Sequence, residues 1–78
     1  MLAMKKLDDL RNQYEIAMKQ EFYDLAACVA TDAVEFVYDS LEEGKLSEFR
    51  GDLELMRWKA AVLAASEEID LSKRGVEH

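Results

Sequence analysis

The chain contains no proline, and its first glycine is Gly44. Nothing ahead of that residue has strong helix-breaking power, so a helical periodicity begun near the start is free to continue to it. Such a periodicity is present. Leu7, Leu10, Tyr14 and Met18 recur on one side, and the stripe continues in phase through Phe22, Leu25, Val29, Ala33 and Phe36. The expectation is one long helix over residues 3–43. The only restart signal is at Thr31-Asp32, where Asp32 and Glu35 have capping-box spacing. A bend there would give a third helix, and three shorter helices are the alternative.

Gly44 is the clear stop, since it can take the left-handed conformation of a helix C-terminus, and Lys45 suits the negative end of the dipole. Residues 44–47 read as a turn. Ser47 is then the N-cap of a second helix over residues 48–73, with Asp52 as the fallback cap. Lys73, Arg74 and Gly75 form a stop signal, which leaves Val76, Glu77 and His78 as a tail. The fold class is therefore all-α, a single domain over residues 1–78 built as a long antiparallel helical hairpin. Folding at Gly44 lays Leu25–Ala30 beside Ala60–Ala65, and small side chains there let the helix axes approach closely.

The second helix is apolar on two sides. Phe49, Leu53, Met56, Ala60, Leu63 and Ala64 form one stripe; Leu55, Trp58, Val62, Ala65 and Ile69 form another roughly opposite. A two-helix hairpin leaves one of them wet. Either residues 1–20 fold back over it or another chain covers it. The second stripe, with Trp58 at its centre, is the expected oligomer surface, and a homodimeric four-helix bundle is its simplest form.

Composition closes off several function classes. The apolar half of the chain suffices for a packed core. No nucleophile elbow, phosphate-cradling glycine loop or cysteine–histidine pair occurs, so the expectation is no enzyme and no cofactor. The one histidine is the final residue, and no Glu-x-x-His motif is present, so no metal site is expected. Cys28 sits among small apolar residues and reads as an inert hydrophobe in a reducing, cytoplasmic setting. No targeting segment or apolar run long enough for a bilayer is visible.

Charge supplies the remaining signal. Between Lys19 and Lys45 there are no basic residues but seven acids: Glu21, Asp24, Asp32, Glu35, Asp39, Glu42 and Glu43. The formal charge of -7 arises entirely in this segment. On one continuous helix all seven fall in an arc of roughly 100°, beside the apolar face. Direct nucleic-acid binding is disfavoured, because phosphates are held by Lys and Arg. Five acid pairs three or four residues apart cost about 1–2.5 kcal/mol before screening. Mixed charges would have met a need for solubility without that cost, as residues 5–19 do. Two things could offset it: Arg50, Arg57 or Lys59 reaching across the hairpin, or a basic protein partner.

In size, acidity and lack of catalytic motifs the chain resembles the small phage-encoded inhibitors of host defence nucleases. That resemblance is one of general character and rests on no shared motif. It implies an acidic module that occupies the nucleic-acid-binding surface of a basic partner in the host cytoplasm, with the seven acids as the contact. The rival expectation is a structural or assembly protein whose helical homo-oligomer is its purpose, with the acids keeping it soluble.

Overall fold

The long helix expected over residues 3–43 is interrupted at Glu21. The computed structural model describes the backbone of residues 2–76 and the side chains of residues 4–73. It is all-helical among the described residues, with α1 at Leu2–Lys19, α2 at Tyr23–Glu42 and α3 at Glu48–Val76. The break between α1 and α2 is a Schellman turn. The Phe22 N–H donates to the Ala17 carbonyl at 2.8 Å and the Glu21 N–H to the Met18 carbonyl at 3.1 Å. That turn needs a left-handed residue, and Glu21 supplies it with φ 64°.

The same pair of bonds ends α2. There the Lys45 N–H reaches the Ser40 carbonyl at 2.8 Å and the Gly44 N–H the Leu41 carbonyl at 3.2 Å. Gly44 takes the left-handed position with φ 73°. Glycine adopts this conformation without cost, whereas a residue with a Cβ is disfavoured there by about 1–2 kcal/mol. Glu21→Gly should accordingly raise stability by about 1 kcal/mol, seen as a melting temperature about 4–8 °C higher. A variant that melts at or below the wild-type temperature would show that Glu21 is not strained.

At Thr31 the helix is continuous. The Thr31 hydroxyl donates to the Ala27 carbonyl one turn back at 2.9 Å, and the helix restart that Thr31-Asp32 offered does not occur. Ser47 caps α3 as its position suggests, accepting the Arg50 N–H on Oγ at 3.2 Å. Gly75 does not stop α3, which continues to Val76; Glu77 and His78 of the expected tail lie outside the described residues.

Because the chain turns at Glu21, α1 folds back along α2, and α3 packs on α2 after the Gly44 turn. The molecule measures 50 × 18 × 14 Å. Its long dimension follows from α3, whose 29 residues span about 44 Å at 1.5 Å per residue. The main core joins Leu7 and Leu10 of α1, Val29, Ala30, Ala33 and Val37 of α2, and Leu55 and Trp58 of α3, with Leu46 closing the end at the turn. A second cluster brings together Ala17, Ala26 and Ala65, one alanine from each helix. The expected contact between the two alanine-rich runs is thus made at Ala26 and Ala65, but Ala60 and Ala64 are exposed.

The rotation of α3 is opposite to the one expected. The stripe headed by Phe49, Met56 and Leu63, expected against the first long helix, faces outward; these side chains are 81%, 64% and 65% exposed. Gly51 lies on the face that turns inward instead, with Leu55, Trp58 and Ala65. It is buried at the crossing with α2, and a Cβ built there would lie 2.7 Å from Leu41 Cγ. A side chain there would displace Leu41, so glycine lets this side of α3 lie close on α2.

Candidate functional site

The proposed oligomer surface lies inside the chain. Leu55, Trp58 and Ala65 are buried, and Val62 and Ile69 are half-buried. Helix α1 provides the cover, the option left open in the sequence, because the break at Glu21 returns it to this side of α3. Trp58 is 3% exposed. The Tyr14 ring meets it edge-on, with centroids 6.0 Å apart at 86°, and the Arg11 guanidinium lies 5.9 Å from the Trp58 centroid. The Tyr14 hydroxyl donates to the Ala61 carbonyl at 3.0 Å, and burial pushes its phenol above the usual tyrosine value.

Beside this aromatic pair is a residue that the sequence reading passed over. The Glu54 side chain is 1% exposed. Its Oε1 accepts from Arg11 Nη2 at 3.1 Å. Its Oε2 lies 3.6 Å from Arg57 Nη1, within ion-pair range, yet it has no hydrogen-bond partner. A signal was there to be read. On the α3 wheel Glu54 falls inside the arc of Trp58, Ala61 and Ala65, a charge where apolar neighbours are due. Arg11, Tyr14, Glu15, Arg57, Trp58 and Ala61 line a shallow open cleft over this cluster. Both arginines in it are directed at Glu54, so the cluster fastens α1 to α3.

The acidic residues occupy different ground. All seven are exposed. Glu21 lies in the first turn and Glu43 is the C-cap of α2, while Asp24, Asp32, Glu35, Asp39 and Glu42 lie along α2 itself. These five share an arc of roughly 80°, whose centre is opposite that of buried Ala26, Ala30, Ala33 and Val37. The ridge from Asp24 to Glu42 is about 27 Å long at 1.5 Å per residue. Because Glu21 is outside α2, the Glu21–Asp24 pair is not a helical neighbour pair. Four like-charge pairs remain, costing about 1–2 kcal/mol before screening.

Cross-hairpin neutralisation, one of the two expected offsets, is not made among the described residues. Of the seven acids only Glu43 has an ion pair there, with Lys45 at 3.0 Å between two exposed side chains. Arg57 is directed at Glu54, and the Lys59 ammonium sits 5.8 Å from the Tyr38 ring centroid. At the start of α2, burial and then the Glu68 and Glu21 carboxylates raise the Tyr23 phenol above its usual value. Cys28 is an exposed free thiol on the same side of α2 as the ridge.

Among the described residues no helix is long and apolar enough to cross a membrane, and no group of three His, Cys, Asp or Glu residues is placed to hold a metal ion. No protein-family model, curated protein or solved structure matches this chain.

Proposed function

We propose that this chain is a non-enzymatic interaction module whose α2 ridge docks on the basic, nucleic-acid-binding surface of a partner protein and so inhibits or regulates it. The supporting observation is the solvent-facing row of carboxylates on α2, which lacks ion pairs from the chain's own arginines and lysines among the described residues. A row of this length imitates the charge line of a nucleic-acid backbone, whose phosphates carry one negative charge per 3.4 Å of each strand. Opposite charge on the partner would steer encounter and make association fast and salt-sensitive. It would also relieve the repulsion within α2. The setting that fits this reading is cytoplasmic, in the host cell if the chain is phage-encoded.

The triple variant Asp32→Asn, Glu35→Gln, Asp39→Asn separates the role of the ridge from that of the fold. It removes most of the repulsion in α2, so stability should rise by about 1 kcal/mol. Capture of the basic partner from lysate, identified by mass spectrometry, should be lost, and duplex DNA should displace the partner from the wild-type protein. Undiminished capture by the triple variant would refute the proposal.

A second reading is favoured by a separate observation. The outward stripe of α3 is the kind of apolar surface that marks association, so a helical homo-oligomer, in its simplest form a dimeric bundle, is the alternative role.

A further inference from the structure

The outer face of α3 carries more than exposed apolar area. Phe49, Leu53, Met56, Ala60 and Leu63 follow one another at spacings of four, three, four and three residues. That is the a/d pattern of a coiled-coil seam, with Phe49, Met56 and Leu63 at d and Leu53 and Ala60 at a. The seam is centred opposite the face that α3 buries, so neither α1 nor α2 stands in front of it. The next a and d positions are Glu67 and Asp70, which end it. The usable length, Phe49 to Leu63, is about 21 Å at 1.5 Å per residue.

From this spacing and the charges beside it we infer that the seam pairs with the same seam of a second copy of the chain, parallel and in register. The flanking residues choose both occupant and direction. Asp52 lies at g and Arg57, which stays 52% exposed beside Glu54, at e of the following heptad, so a parallel pair sets Asp52 of each copy against the open side of Arg57 of the other, twice over. The next such position sets Lys59 against Ala64, which is neutral. An antiparallel pair with Leu53 against Leu63 places Arg57 against its own copy and Lys59 against its own copy. Sliding it by one heptad relieves Lys59 against Asp52 but puts Arg50 against Arg57. Sliding it the other way sets Asp52 against Lys73 but puts Asp70 and Glu67 in the seam against Leu53 and Met56. Of the registers that keep acids off the seam, only the parallel one has attraction without such a clash of like charges. In it Leu53 faces Leu53 and Leu63 faces Leu63, with Met56 and Ala60 between. The inference concerns a different surface from the α2 ridge and does not depend on it.

Sedimentation equilibrium of the full chain should give twice the monomer mass. On a Cys28→Ser background, Leu63→Cys should couple into a covalent dimer under mild oxidation, because a parallel pair brings these positions together and either antiparallel pair separates them. Met56→Glu should weaken dimerisation by about 30-fold or more, as loss of a central interface residue does. Helicity and the emission of buried Trp58 should be unchanged in it, which separates loss of pairing from loss of folding. A folded monomer at every concentration would assign the seam to another partner and overturn the inference. A dimer that Leu63→Cys fails to trap, or that Met56→Glu leaves intact, would overturn it equally.

Discussion

Arg11→Ala should cost about 3 kcal/mol, more than its partly exposed position suggests. The reason is what it leaves behind. Glu54 is a carboxylate with almost no contact with solvent, and Arg11 makes its only hydrogen bond among the described residues. Arg57 at 3.6 Å is an ion-pair neighbour without bonding geometry, so it does not replace that bond. Removing one partner of a buried ion pair costs about 3–5 kcal/mol, mostly through the charge left without compensation. The low end applies because the Arg11 side chain is 37% exposed and its loss lets water approach Glu54. For a domain of this size that is a large share of the total, and the melting temperature should fall by about 12–24 °C.

The companion variant makes the cause visible. Glu54→Met removes the charge instead of its partner, and replacing a buried ion pair by apolar groups of similar volume is often neutral or stabilising. In the Arg11→Ala background, Glu54→Met should therefore recover most of the lost stability. The cycle formed by the two single variants and the double variant measures the coupling, which should exceed about 1 kcal/mol. Additive effects would mean that Arg11 acts through its packing on Trp58 and not through Glu54.

The two turns show what the residues of this chain disclose and what they conceal. Both are Schellman turns with the same two hydrogen bonds, yet Gly44 announces its turn and Glu21 does not. The motif is defined by backbone bonds and one left-handed residue; glycine merely makes that residue inexpensive. A glutamate in the same place carries no mark, and Phe22 offers no capping side chain at the start of α2. The in-phase stripe from Met18 to Phe36 then reads as continuous although the chain reverses within it.

The rotation of α3 was hidden for a different reason. Two apolar stripes were legible, as was the need to cover both. Which one turns inward is settled by packing between helices, Leu55 and Trp58 against α1 and α2 and Gly51 against Leu41, contacts made only once the helices are side by side. The choice is tertiary, and the periodicity of α3 alone is symmetric with respect to it. Glu54 lies between these cases. Its place among Trp58, Ala61 and Ala65 was readable, but its partner is on α1, whose return was not. The ridge acids needed no such information. Five of them lie on one unbroken helix, so their common face follows from spacing alone.

Trp58→Ala tests the consequence of that return. The indole is nearly fully buried between α1 and α2, and truncating a buried aromatic costs about 3–5 kcal/mol. Against the stability of so small a domain, the variant should be largely unfolded or close to it. Trp58→Phe should behave very differently. The indole Nε1 is buried with no hydrogen-bond partner, a state that costs about 1–3 kcal/mol. Phenylalanine keeps an aromatic ring for the Tyr14 edge and the Arg11 guanidinium while deleting the orphaned donor. The smaller ring leaves some space, and the two effects nearly cancel, so the net change should stay within about 1 kcal/mol. Urea melts of the two variants give the comparison directly. Equal losses in both would mean that the indole N–H is satisfied, for instance by a bound water. Because the cover over Trp58 comes from α1 of the same chain, the deficit of Trp58→Ala relative to wild type should not grow as protein concentration rises. A deficit that widens in concentrated solution would place a second chain over Trp58 and return that face to the surface.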